Sequence, residues 1–454
     1  MYVTRVQLRD VKSFSGARTV DLRLPGRSGL TVLAGRNASG KSTLLQAIAL
    51  AISGPDSARA LMRNSFGWVN EHARTAEVEV ELVTDPVYDH FAGPAGESLP
   101  FSAGLRWTRL SSGPELVVLE PLTDRAAAHL GPWAPGPAGW FCAGYGPFRR
   151  LGQSTSRSFK PQGPTGRLAT LFDENAVLAE GVSWLVELRL RQFEEAERAG
   201  RLREASGRPD SAGRAGRLLR TVLGLLRDDL LPDHYQIQWV TADGLWVSDS
   251  RQPDLDGFPL EEMSDGYRSV SALVLDIVRQ LHDTYGGLPT RVDAGGSTVV
   301  LSPGVVLIDE IDAHLHVSWQ RRIGGWLRKH FPNVQFIVTS HSPYICQSAD
   351  EGGLVRLPAL DEPAAPAVVG EDLYRRVVYG SGDDAVLSEL FGLETPYSNR
   401  AEERRRRLVA LERKVYDGTN SAAEADEYRE LSELLTSSLS SRVAEVSARL
   451  EPDR

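Results

Sequence analysis

Gly35-Arg36-Asn37-Ala38-Ser39-Gly40-Lys41-Ser42 fits the spacing G-x-x-x-x-G-K-[ST] and lies between the apolar run Leu30 to Ala34 and a helical run, Ser42 to Ile52. An apolar strand, a glycine-rich turn and a helix are the context this motif requires. The glycines let main-chain N–H groups curl around phosphate oxygens, and Lys41 brings positive charge to the β- and γ-phosphates. Ser42 offers its hydroxyl to Mg2+, and the helix N-terminus favours the anion. With Thr43 completing the stretch, a triphosphate site is expected, with ATP as ligand and Mg2+ as cofactor.

Working outward, Thr19 to Leu24 reads as a strand before the loop, and the alternations Val78, Val80, Leu82 and Leu116, Val118, Leu119 suit an antiparallel layer between Ala76 and Leu122. Residues 131 to 167, rich in Gly, Pro and Ser, read as loops. From Arg167 to Leu231, Leu185, Leu188 and Phe193, then Leu218, Leu219, Val222, Leu225 and Leu226, recur at helical spacing, which predicts a helical insertion. Strands resume at Tyr235 to Val240 and Gly244 to Val247.

The clearest pattern runs from Gly304 to Ser340. The apolar strand Val305 to Ile308 leads to a helix carrying Trp319, Ile323, Trp326, Leu327 and Phe331 on one face, then to the strand Val334 to Thr339. This is a βαβ unit and predicts a parallel sheet. Asp309 and Glu310 end its first strand. There Asp309 is suited to hold Mg2+ and Glu310 to orient or deprotonate a water, although an Asp-Glu pair after a strand could equally cap a helix. His341 follows the second strand, so it should emerge at the same carboxyl edge, within reach of a γ-phosphate. Ser264-Asp265-Gly266 directly precedes the apolar helix Val270 to Leu281. It could bind an anion at that helix start, or be only a cap and turn.

Taken in order, these elements resemble the ABC-type ATPase heads of the SMC, RecF and overcoming-lysogenization-defect group, over about residues 1 to 150 and 235 to 350. Gly35 to Thr43 looks like that group's G-x-N-x-S-G-K-S-T, Ser264 and Gly266 like its signature motif, and Val306-Leu307-Ile308-Asp309-Glu310 like its Walker B element. Asp312 looks like its D-loop residue and His341 like its switch histidine. The resemblance implies an α/β P-loop NTPase of ABC-head type: a mixed sheet plus an antiparallel layer, with a helical insertion and a helical C-terminal tail. It also implies that two heads pair head to tail, Ser264 of one meeting the γ-phosphate held by Lys41 of the other, and that hydrolysis through Glu310 releases them.

Departures from the pattern narrow the group. Met263-Ser264-Asp265-Gly266-Tyr267 lacks the Leu-Ser-Gly-Gly-Gln of transporter subunits, which disfavours a transporter motor. The lobe-coupling glutamine, a metal ligand in such heads, has only Gln153 as a candidate. No acidic set for phosphodiester cleavage follows His341, so no nuclease is expected in this chain. The overall pattern looks most like the stand-alone ATPases of bacterial anti-phage systems of Septu type, which work with a separate HNH-type nuclease. The expected domains are 1–150 and 235–365 as ATPase lobes, 151–234 as the helical insertion and 366–454 as a mostly helical C-terminal region. The expected function is an ATP-driven switch or clamp in defence or DNA repair, acting as a homodimer or higher oligomer; the alternative is an ATP-gated scaffold with little turnover.

Composition sets outer limits. A chain of 454 residues with 41% hydrophobic and 24% charged content is an ordinary globular protein. Its longest apolar run, Ala47 to Ile52, is far short of the roughly 20 residues that cross a bilayer. With no apolar leader-like run at Met1 to Arg9, the cytoplasm is the expected location. Two isolated cysteines, Cys142 and Cys346, build neither a disulfide framework nor a zinc site. A net charge of -9 offers no global attraction to nucleic acid, leaving Arg404 to Arg407 as the local basic candidate for DNA or RNA contact. Glu402 and Glu403 can pair with those arginines at helical spacing, which would make the run a solvated helix face instead.

Overall fold

A computed structural model describes residues 1–62, 65, 67–89, 100–110, 117–122, 126–134, 139–149, 163–176, 178, 180–206, 213–231, 234–252, 257–393 and 395–435. Two compact units are present, Met1–Ala385 and Val386–Arg454.

In the first unit the loop-bearing strand Gly29–Gly35 sits inside a six-stranded sheet. Its order is Ala367–Val368, Leu354–Leu357, Gly29–Gly35, Val334–Ser340, Gly304–Ile308, Cys142–Tyr145. All neighbours run parallel except the two-residue edge strand Ala367–Val368. The strand leading to His341 therefore lies between the phosphate-loop strand and the strand leading to Asp309. Parallel strands end at one edge, so this order gathers the three polar termini. A second sheet, Val20–Arg23, Tyr2–Arg9, Thr75–Val83, Phe101–Arg109 and Val117–Pro121, is wholly antiparallel. The fold is thus an α/β P-loop NTPase fold with the expected mixed sheet and antiparallel layer.

The helix after the loop, Lys41–Leu61, packs against both sheets. Leu44, Leu45, Ile48, Leu50 and Ile52 are all buried, so the helix is apolar on every side, as one lodged between two layers must be. Each such side chain contributes about 1.5–3 kcal/mol of burial. The helix breaks just past the expected end at Ile52, where Gly54 is non-helical, and a second helical stretch runs on to Leu61. Gly54 adopts φ 83°, and Pro55 has no N–H to give the Ala51 carbonyl. Trp133 Nε1 donates to that carbonyl instead, at 2.9 Å. A distant tryptophan thereby satisfies a carbonyl left free at the break that the local sequence dictates.

Two further expectations are corrected. Cys142–Tyr145, inside the segment read as loops, is a fully buried strand paired with Gly304–Ile308. Four residues ending at Gly146-Pro147 give too short a period to read, and only the neighbouring strand defines them. The single helix of the βαβ unit is two, Val317–Gln320 and Ile323–His330, with Trp319, Ile323, Trp326 and Leu327 still buried. Arg322 N–H bonds back three residues to the Trp319 carbonyl, which tightens and breaks the turn.

The insertion is helical over Glu180–Ser206 and Arg214–Arg227. A three-stranded sheet, Phe258–Pro259, Gly244–Asp249 and Tyr235–Thr241, and the helix Asp265–Tyr285 follow. Among the described residues no helix is long and apolar enough to cross a membrane.

In the second unit, helices Asn399–Tyr416 and Ala422–Leu435 are joined by Arg407–Glu427 at 2.6 Å and Lys414–Glu424 at 2.5 Å. Arg406 pairs with Glu402 at 3.1 Å, and Arg405 stacks over the Tyr397 ring at 3.8 Å. Three of the four consecutive arginines are therefore engaged within the unit, as a solvated, paired helix face requires.

Candidate active site

The phosphate loop bends at Ala38, φ 62°, and at Gly40, φ 99°. A Cβ on Gly40 would lie 2.5 Å from the Phe14 ring, so both the conformation and the space demand glycine there. Residues 36 to 38 are exposed, whereas Ser39 and Lys41 are buried. Lys41 Nζ donates to the carbonyls of Gly35 and Arg36, each at 3.0 Å. Burial holds its pKa down to about 8, against the opposing pull of Asp309, Glu310 and Asp312. Ser39 Oγ is buried with no hydrogen-bond partner among the described residues, and Ser42 and Thr43 are half-buried on the first helical turn. From the far side, Arg18, nearly buried itself, donates to the Ser39 carbonyl at 3.0 Å and to the Pro358 carbonyl at 3.1 Å. It braces the loop against the chain beyond Leu357, a role nothing local in the sequence signals.

At the end of the strand Gly304–Ile308 the backbone leaves the sheet. Glu310 sits at φ 46°, a left-handed conformation uncommon for glutamate, and His314 at φ 65°. No helix starts there; the next begins at Val317, so the Asp-Glu pair is not a helix cap. Thr339, fully buried on the adjacent strand, holds the turn. Its hydroxyl donates to Asp309 Oδ1 at 2.5 Å and accepts the Glu310 N–H at 2.7 Å. One residue on, Ser340 Oγ donates to Asp312 Oδ1 at 2.5 Å. These two hydroxyls were not singled out from sequence, although polar residues ending the apolar run Val334 to Val338 could have flagged them. Thr339→Val keeps the shape, but it strands the Glu310 N–H and frees the Asp309 carboxylate. The expected outcome is a kcat for phosphate release lowered at least about 10-fold with ATP affinity within about 3-fold, since an unsatisfied buried donor costs ~1–3 kcal/mol. Steady-state assays with a binding titration check this.

Arg149 closes the turn from the other side. Its buried guanidinium donates to the carbonyls of Asp309 and Glu310, each at 2.9 Å, and to that of Gly146 at 3.1 Å. Burial pushes its pKa down to about 10. Glu310 is half-buried and its pKa is raised, first by burial and then by Asp309 and Asp312, while Lys41 and Arg149 pull it back. The His341 ring is half-buried and its pKa is lowered by burial and by Lys41, which favours neutral imidazole. Lys41, Asp309, Glu310, Asp312 and His341 thus act on one another electrostatically, as their shared strand edge predicts.

Ser264 heads the helix Asp265–Tyr285, is exposed, and makes no side-chain capping bond. Asp265 is exposed and pairs with Arg268. Gly266 packs so closely on the His314 carbonyl that a Cβ would stand 2.4 Å from it. The segment therefore meets the turn after Glu310 within its own chain, but it carries no bond to the phosphate loop. Gln153 lies outside the described residues.

The donors suit Mg2+. Asp309 uses one carboxylate oxygen for Thr339 and keeps the other, and the Ser42 hydroxyl adds a second hard oxygen on the first helical turn.

Strand order and phosphate loop together define the class, an α/β P-loop NTPase fold, with the acidic turn at the same strand edge as the loop. Family models and curated relatives point to a nucleotide-binding domain of this kind. A family model described as "AAA domain, putative AbiEii toxin, Type IV TA system" matches residues 190–347, and one described as "AAA domain" matches residues 5–89. The chain is 23% identical over 369 residues to the Septu protein PtuA of Bacillus mycoides (strain KBAB4), covering 80% of this chain and 41% of that protein. It is 43% identical over 89 residues to the Retron Ec83 probable ATPase of Escherichia coli, covering 20% of this chain and 15% of that one. The chain spans less than half the length of these curated relatives. Among solved structures, the SmcHead bound to the C-winged helix domain of ScpA aligns with a TM-score of 0.45 and 16% identity over 81% of this chain and 97% of that one. The chain resembles AAA-domain proteins and the Septu and retron ATPases of the anti-phage defence type.

Proposed function

We propose that this chain is an Mg2+-dependent ATPase whose two copies close around ATP, and that the closed and open states switch a separate HNH-type nuclease in bacterial defence. The observation carrying this reading is the uneven distribution of the site. Lys41, Asp309, Glu310 and His341 share one strand edge, whereas exposed Ser264 heads a helix with its side chain uncapped. A second copy, presenting its own Ser264 to the phosphates, would complete the arrangement. The Septu-like resemblance supports the nuclease partner and a cytoplasmic setting. Residues 1–150 and 235–365 serve as lobes on this reading, with 151–234 inserted and 366–454 available for contacts.

In the reaction, Glu310 accepts the proton of the attacking water, whose oxygen bonds to the γ-phosphorus as the bond to the β,γ-bridging oxygen breaks. ADP leaves with that electron pair. Lys41 spreads its charge over the β- and γ-oxygens, neutral His341 donates to a γ-oxygen, and the loop N–H groups hold the α- and β-phosphates. Bound Mg2+, held by Ser42 and Asp309, would supply charge neutralisation between the β- and γ-phosphates.

The test is light scattering with Mg2+ and a non-hydrolysable ATP analogue, beside phosphate release with ATP. The wild-type chain is expected to shift from monomer to dimer. Ser264→Arg is expected to bind nucleotide within about 3-fold of wild type and remain monomeric, because it blocks only the contact across copies. A wild-type chain that stays monomeric at saturating analogue overturns the closure. Closure without phosphate release leaves an ATP-gated scaffold.

A further inference from the structure

Arg149 is a buried cation whose side-chain hydrogen bonds, among the described residues, reach no carboxylate; Asp312, Asp309 and Glu310 act on it only through space. Its side chain is 3% exposed, yet its guanidinium points its donors at main-chain carbonyls alone: Gly146, Asp309, Glu310 and, at 3.3 Å, Ile311. Burying an unpaired charge is costly, so buried arginines are normally paired. Here the donors are met by the carbonyls of three consecutive residues that the left-handed Glu310 has turned out of the sheet, with the nearby carboxylates acting through space. A fork of fixed N–H directions suits that task, and a single ammonium does not.

The same residue faces the other way through its main chain. Ser269 Oγ, buried on the helix headed by Ser264, donates to the Arg149 carbonyl at 3.0 Å. One turn earlier on that helix, Gly266 lies against the His314 carbonyl. The helix therefore touches the acidic turn at two places, directly at Gly266 and through Arg149 at Ser269.

We propose that Arg149 is a positioning residue that couples the Ser264 helix to the catalytic turn, so that engagement of Ser264 by a second copy sets the placement of Glu310. This deepens the reading of Glu310 as the group that activates water, and rests on it. A displacement of the helix acts on the Arg149 main chain through Ser269, and Arg149 carries it to the carbonyls of Asp309, Glu310 and Ile311. Hydrolysis is then matched to closure without Arg149 touching nucleotide.

The experiment compares wild type, Ser269→Ala, Arg149→Lys and the double variant as full-length chains, measuring kcat, KM and the ATP dissociation constant. Thermal melts establish that each variant is folded. Ser269→Ala is expected to lower kcat about 10-fold with KM and ATP affinity within about 2-fold, because the loss falls on the transition state alone. Arg149→Lys keeps the charge but not the fork and is expected to lower kcat about 100-fold with a similarly small change in affinity. The double variant should be no slower than Arg149→Lys, since both changes cut one path. Folded variants with wild-type kcat, or single effects that multiply in the double, overturn the coupling. If Arg149→Lys does not fold, Ser269→Ala decides alone: a wild-type kcat overturns the coupling and a 10-fold loss supports it. If Glu310→Gln turns over as fast as wild type, the underlying reading fails first and the coupling falls with it.

Discussion

Glu310→Gln is expected to lower phosphate release about 1,000-fold while ATP affinity stays within about 3-fold, leaving an ATP-bound dimer that persists. The amide has the volume of the carboxylate and leaves the turn intact, because the turn is held through main-chain atoms: the Glu310 N–H on Thr339 and its carbonyl on Arg149. What the substitution removes is the ability to accept a proton, which in general base catalysis contributes typically 10²- to 10⁴-fold. Burial and the neighbouring Asp309 and Asp312 raise the Glu310 pKa, making it a better base than a free carboxylate. Single-turnover assays and light scattering with ATP read both effects. A variant that hydrolyses at the wild-type rate would show that another group activates the water.

Lys41→Ala is expected to weaken ATP binding at least about 100-fold, a loss of ~2.7 kcal/mol, and with it to abolish turnover and closure. Lys41 is the buried cation of the loop itself and already directs its ammonium to the Gly35 and Arg36 carbonyls. Its lowered pKa, about 8, gives the interaction a pH signature. Phosphates raise that pKa on binding, so the lysine's contribution to affinity is fully present below about pH 8 and is lost as pH rises through the higher bound-state value. Calorimetric titration between pH 7 and pH 9.5 should find affinity falling in wild type and a flatter profile in Lys41→Ala. Equal slopes in the two would remove Lys41 from the phosphate contact.

Several elements were legible because their signals are local. The phosphate loop is set by glycine spacing between a strand and a helix, the acidic pair by an apolar run ending in two carboxylates, and His341 by the end of the next strand. The strand Cys142–Tyr145 was not legible, since four residues have no period of their own. Nor was the bond from Trp133 to the Ala51 carbonyl at the Gly54-Pro55 break. Thr339 and Arg149 escaped notice because each looks ordinary in its own segment.

The sequence by itself determined where the phosphate-loop motif, the acidic pair and His341 fall on strand, turn and helix, because those elements follow from the order of apolar, glycine and charged positions along a short stretch. Only the tertiary structure decided how Glu310 is held. Its left-handed turn is fixed by a threonine from the next strand and an arginine 161 residues earlier in the chain. Hydrogen bonds across such separations depend on the packing of strands and helices, and no local spacing encodes them.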